Sequence, residues 1–263
     1  MELIDTDNIT TFPHELFSVI NIYKNQLTAL CNKLHFDEPY KIQHGIEPVD
    51  EQRDLVEKIS RIAISILKNY QITCWHSTRL LNIADVRKNG LLISNDNGRV
   101  TRLRSIMEKL DFDEIEITSL LNKCQLYWDR DPNRQGTVHF FSSRSLFDSY
   151  DHFANNIGGE VIRYSLGKNL ENSPYNKLKD NGTPVFIKFK INFSDIASMC
   201  QEKIARGFCI SIIIQIILNR TCQPQFDGWT KIDIPSKNIL EIKKIEGFNY
   251  EWTGFDYGKI YIL

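Results

Sequence analysis

Residues 72–94, ITCWHSTRLLNIADVRKNGLLIS, hold the densest set of side chains suited to chemistry. A run of β-formers leads into Cys74-Trp75-His76-Ser77-Thr78-Arg79. If that run is a strand, His76 sits where the chain leaves the core. A neutral imidazole offers one donor and one acceptor, and each neighbouring hydroxyl offers both. That suits a ribose diol or a carboxamide. The same groups would also serve to satisfy backbone atoms at a strand end.

Three other pieces carry polar or aromatic groups in usable order. Residues 136–145, GTVHFFSSRS, read as a strand with two aromatics followed by a serine-rich helix start. Phe140 or Phe141 could stack on a flat ring or pack in a core, since strands favour aromatics with or without a ligand. Ser142, Ser143 or Ser145 could cap the helix. Gly158-Gly159-Glu160 closes that helix and sets a carboxylate ahead of the apolar run at 161–164. Paired glycines permit a tight turn there. Arg99, Arg102, Arg104, Arg130, Arg134 and Arg144 form a loose basic group. Asp111, Asp113, Glu114 and Glu116 cancel much of its field, so most of it reads as a solvated helix face. Arg79 and Arg144 differ because each adjoins a candidate motif and could receive a pyrophosphate.

Several chemistries have no motif here. HExxH, GxSxG, DxDxDG, GxGxxG and GxxxxGK[ST] are all missing from the sequence, which argues against zincin, hydrolase-elbow, EF-hand, Rossmann and P-loop sites. No metal ligand set is expected. Cys74 and His76 share a strand face, yet the apolar surroundings predict an inert thiol.

The elements that must position these residues follow from periodicity. Residues 14–34 and 49–70 show helical spacing, with Leu55, Ile59, Ile62, Ile66 and Leu67 on one stripe of the second. Strands are predicted at 72–75, 137–141, 161–164, 185–191, 209–217, 239–244 and 259–262. Helices are predicted at 102–110, 117–126, 145–157 and 194–203. The run FCISIIIQIIL at 208–218 is dense in isoleucine and preceded by Arg206-Gly207, which predicts a central strand buried on both faces. Helices first and strands afterwards suit an α+β class.

The 263 residues, 42% apolar and 25% charged, fit one large domain or a domain with an extension. A net charge of −1 gives no overall basic signature for nucleic acid. The six cysteines show no paired spacing and read as reduced, buried thiols of a cytosolic protein. The acidic opening MELIDTDNITTF is unlike a signal peptide. The longest apolar run is far short of the roughly 20 residues of a membrane helix.

The order of the pieces resembles the ADP-ribosyltransferase superfamily, in its His-aromatic-Glu branch with bacterial toxin members. The resemblance rests on strand-His76-x-Thr78, the Gly90-Leu91 turn, the Phe140-Phe141 strand and Glu160, and spans residues 72–245. It implies an N-terminal helical segment, 1–70, and an α+β domain, 71–263, with a mixed, largely antiparallel split sheet. It implies NAD as substrate. His76 and Thr78 would hold its ribose and carboxamide, Phe140 or Phe141 would stack on nicotinamide, and Glu160 would stabilise the transition state. Ser77, Arg79, Ser142 and Arg144 complete the expected NAD contacts. Glu241 is the reserve carboxylate. Gly158 stands where arginine-modifying members carry an acid or amide, which points away from an arginine target. The implied protein is a cytoplasmic toxin or effector acting on nucleic acid or protein, with an antitoxin as a further partner. An inactive binding module and an RNA 2′-phosphotransferase-like enzyme are the alternatives.

Overall fold

The computed structural model describes residues 1–33, 50–93, 96–130, 136–147, 174–245 and positions 154, 157, 161, 162 and 165. The strands are β1 (Glu2–Ile4), β2 (Tyr70–Leu80), β3 (Val138–Phe141), β4 (Thr183–Asn192), β5 (Asp227–Thr230) and β6 (Ile239–Lys244). They form one sheet in the order β5-β3-β2-β4-β6, with β1 added beside β2. The β2–β3, β2–β4, β3–β5 and β4–β6 pairs are antiparallel, while β1 runs parallel to β2. The protein is therefore α+β with a largely antiparallel sheet.

The helices are α1 (His14–Ile22), α2 (Lys24–Lys33), α3 (Asp50–Leu67), α4 (Ile83–Asn89), α5 (Asp96–Lys109), α6 (Glu114–Arg130), α7 (Lys177–Asp180) and α8 (Ser198–Leu218). One face of the sheet packs on α1, α3 and α8. Its core joins Leu16 and Ile20, Ile59, Ala63 and Leu67, and Phe208 and Ile212 to Ile72, Cys74, Ile187, Phe189 and Ile191. Ile4 and Phe12 share this core, so the described elements before β2 and the sheet bury their apolar sides together. A second cluster, Leu103, Met107, Phe112, Ile117, Leu120, Leu121, Cys124 and Tyr175, forms where α5 and α6 meet.

Two predicted strands are helical. Residues 209–217 belong to α8, whose buried positions include Cys200, Ile204, Phe208, Cys209, Ile212 and Ile214. A helix buried on most sides loses its amphipathic stripe, and its isoleucines then mimic a central strand. Gly207 lies inside this helix, where a Cβ would stand 3.2 Å from the Phe226 ring and 3.4 Å from the Gln225 carbonyl oxygen. It permits close approach and does not break the helix. The chain leaves α8 through Asn219 in the left-handed region (φ 51°), as helix ends commonly do. Of the strand expected at 161–164, Val161 and Ile162 are helical, Ile162 is buried in the α5–α6 cluster, and positions 163 and 164 lie outside the described residues.

Other differences are of extent. The first predicted helix breaks at Tyr23 into α1 and α2. The strand expected to end at Trp75 runs on to Leu80. Only a 3-10 turn, Arg144–Leu146, opens the helix expected at 145–157, most of which lies outside the described residues, as does the strand expected at 259–262. β1 and β5 escaped prediction. ELI is short and DGWT carries residues that disfavour strands. A Cβ at Gly228 would stand 3.0 Å from the Phe140 ring, so a larger residue there would press that ring aside.

Candidate functional site

β2 is the central strand, and its alternation divides the candidate residues between two faces. Ile72, Cys74, His76 and Thr78 pair across with Ile191, Phe189, Ile187 and Val185 on the helix-covered face. Trp75, Ser77 and Arg79 pair with Lys188, Phe186 and Pro184 on the other. Trp75 also faces Phe141 of β3, which returns Phe140 to the side of His76. The side chains thus fall into two sets, His76, Thr78 and Phe140 against Ser77, Arg79 and Phe141.

His76 is half-buried inside β2 and not at its end. Its Nδ1–H donates to the His139 carbonyl at 2.8 Å. Burial lowers its pKa, and the His139 carbonyl only partly opposes that shift. The ring is accordingly neutral at pH 7, with Nδ1 carrying the proton and Nε2 presenting a lone pair. Among the described residues Nε2 has no hydrogen-bond partner. Beside it, burial pushes the Cys74 thiol well above its ordinary pKa, which removes it as a nucleophile at neutral pH.

Three predicted contact residues are committed to the protein itself. Arg79 is 2% exposed. Its Nε–H donates to the Ala154 carbonyl at 3.0 Å, and Nη1 to the Asn181 and Gly182 carbonyls at 3.2 Å each. Ser142 donates to the Pro224 carbonyl and accepts from the Phe226 N–H at 3.1 Å. Phe140 packs edge-on to Phe189 at 6.0 Å between centroids. Arg79 and Ser142 thus tie β2 and β3 to the segments around Ala154, Asn181 and Pro224. Phe141 is likewise buried, edge-on to Phe186 at 5.9 Å. The Ser77 hydroxyl is buried without a partner among the described residues, and Thr78 is half-buried. Ser143 and Ser145 join hydroxyls at 2.7 Å, so neither caps the turn.

Glu160 lies outside the described residues. The residues after it, Val161 and Ile162, are helical, so any turn carboxylate there precedes helical residues and not a strand. Glu241 is exposed on β6, opposite Lys188 of β4. Arg104 pairs with Glu114 at 2.8 Å on the surface, in keeping with a solvated helix face.

Sequence reasoning missed a charged cluster on the second face. Asp5-Thr6-Asp7 follows β1 exactly where β3 ends, because β1 and β3 share one edge of β2. Thr6 is fully buried; its N–H donates to Thr73 Oγ1 at 2.9 Å and its hydroxyl to the Ser142 carbonyl. Lys188 Nζ lies 2.7 Å from Asp5 and 3.0 Å from Asp7. Asp7 also accepts from the Trp75 indole N–H at 3.0 Å and from the Arg144 N–H at 2.7 Å. Burial alone would raise the Asp5 carboxyl, but Lys188, the Asp7 N–H and the Thr73 hydroxyl outweigh it and hold its pKa below the ordinary value. Burial would likewise lower Lys188; Asp5 and Asp7 reverse that and raise it. The one sequence signal was a pair of carboxylates two apart after a short apolar run.

A shallow groove of about 410 Å³ on α6 is lined by Glu114, Ile115, Thr118, Ser119 and Asn122. It holds none of the selected residues. Among the described residues no three His, Cys, Asp or Glu side chains gather as a metal site, and no helix is long and apolar enough to cross a membrane. No family model, curated protein or solved structure matches the chain.

Proposed function

We propose that the chain is an NAD-dependent mono-ADP-ribosyltransferase, a cytoplasmic toxin or effector that transfers ADP-ribose to a nucleic-acid or protein acceptor and releases nicotinamide. The observation that carries this reading is His76. It stands on the central strand of an α+β sheet, neutral, with Nδ1–H tied to the His139 carbonyl and Nε2 left to accept from a ribose hydroxyl. The order of His76, the Gly90-Leu91 turn, the Phe140-Phe141 strand and Glu160 supports it. So does the turn itself: Gly90 has φ 78°, and a Cβ there would strike the Ile234 carbonyl, while Leu91 bridges to Ile234.

In this reading nicotinamide departs through an oxocarbenium-like transition state, as in glycoside cleavage. Glu160 stabilises charge that develops mainly there. His76 and Thr78 hold the ribose, with Ser77 and Phe141 beneath them on the opposite face. Arg144 lies over Trp75 on that opposite face and stands apart from the ribose site. Arg79, Ser142 and Phe140 serve by holding β2 and β3 in place.

The test is nicotinamide release from labelled NAD, with RNA, DNA and protein supplied separately as acceptors. Transfer that vanishes in Glu160→Gln supports the reading. A folded wild type that leaves NAD untouched with every acceptor favours a binding module.

A further inference from the structure

The two ends of the sheet are finished differently. At β5, Ile196 bridges to Thr230 and the Ala197 N–H donates to the Trp229 carbonyl at 3.1 Å, so another part of the chain covers that edge. β6 pairs with β4 and, among the described residues, with no strand beyond it. Its register fixes which backbone groups face outward. The Ile245 N–H donates to the Pro184 carbonyl at 3.0 Å, and antiparallel pairs alternate between hydrogen-bonded and non-bonded. Lys243 lies opposite Phe186, Ile242 opposite Ile187 and Glu241 opposite Lys188. Lys243 and Glu241 therefore turn their backbone groups to β4, while Ile242 and Lys244 turn theirs outward. Lysines on an edge ordinarily keep other strands away. Here the strand carries its own counter-charge: Glu241 and Lys243 are two apart and share a sheet face, and both are exposed. Neither side chain has an ion-pair partner among the described residues.

We propose that β6 is a self-pairing edge: two copies of the chain join antiparallel across a two-fold axis at Ile242, and their sheets continue as one. The inference is independent of the NAD reading. A two-fold contact needs a self-complementary surface, and the charges of β6 supply one in a single register. With the axis at Ile242, the outward N–H and C=O of that residue meet those of the second copy. Glu241 then stands opposite the second copy's Lys243, and Lys243 opposite its Glu241. Both are non-bonded pairs, with Cα atoms about 4.5 Å apart and side chains at their closest. An axis at Glu241, Lys243 or Lys244 would instead set like charges face to face. An axis at Leu240 would set Glu241 against Ile239 and pair no charges. Leu240, exposed in the single chain, would lie along the second copy's Lys244 stem in the Ile242 register.

The experiment is sedimentation equilibrium of the full chain as wild type, Glu241→Lys, Lys243→Glu and an equimolar mixture of the two variants. The wild type should dimerise at micromolar to submillimolar concentration. Each variant alone opposes like charges twice and should dimerise about tenfold or more weakly. The mixture should recover the wild-type affinity, because one copy then brings two lysines and the other two glutamates. Both substitutions are on exposed side chains, and melting temperatures check that each variant is folded. In the wild type, amide exchange at Ile242 and Lys244 should slow as concentration rises; this readout needs no variant. A wild type that stays monomeric, variants that dimerise as the wild type does, or a mixture no tighter than its components would overturn the proposal. Exchange protection at Ile242 and Lys244 that does not depend on concentration would give the edge to another part of the same chain, such as residues 259–262, and would overturn it as well.

Discussion

His76 ties pH to stability with a definite sign. Its pKa is lowered on folding from an ordinary 6.5, so below that value the unfolded chain binds a proton that the folded chain resists. Stability should therefore fall as pH drops from about 7 to 5, and His76→Gln should flatten that slope in melting temperatures. Arg79 makes the opposite point about function. The sequence places it beside His76, where a cation for a pyrophosphate is expected, but its donors serve the carbonyls of Ala154, Asn181 and Gly182. Those partners are 75 or more positions away, which no local pattern reports. Arg79→Met should cost roughly 1–3 kcal/mol in urea unfolding by leaving the buried Ala154 carbonyl unpaired and releasing those of Asn181 and Gly182. An unchanged urea midpoint would return Arg79 to the list of ligand contacts.

At the scale of elements, legibility tracked exposure. α3 shows one buried stripe through Ile59, Ala63 and Leu67, and its solvated side made that stripe readable. α8 is buried on most sides, and there an isoleucine-rich run has no polar face to reveal its period. β1 and β5 are short strands specified by their neighbours, so their own residues carried little signal. The helical reading of 209–217 is testable by substitution. Ile212 is fully buried against the sheet, and Ile212→Ala should cost about 2–5 kcal/mol. Met199, 71% exposed on the same helix, should tolerate Met199→Ala within about 0.5 kcal/mol. A strand at 209–217 would instead leave Gly207 free of Phe226, and Gly207→Ala would then be harmless.

For the whole molecule, the chain after β1 matters more than the division into a helical segment and a sheet domain suggests. Ile4 and the helices α1 and α3 complete the core of the sheet, and Asp5 and Asp7 balance Lys188 on the opposite face. Because Asp5 is held below its ordinary 3.8, its contribution is complete above that value and is lost as pH falls through the lowered one. Lys188→Met should remove that part of the acid dependence. The α+β class was legible from residue types and element order, but the central position of the His76 strand was not, since the isoleucine run at 209–217 drew that expectation. The partition of His76 and Arg79 onto opposite faces was not, because it depends on β2 running past Trp75 to Leu80. The most direct measurement is nicotinamide release from NAD by the wild type, His76→Ala and Glu160→Gln. Catalysis by this site predicts release by the wild type and a fall of roughly 10²–10³ in Glu160→Gln, with NAD affinity little changed. His76→Ala should bind NAD more weakly. Full release by Glu160→Gln, or none by a folded wild type at millimolar NAD with any acceptor, would contradict it.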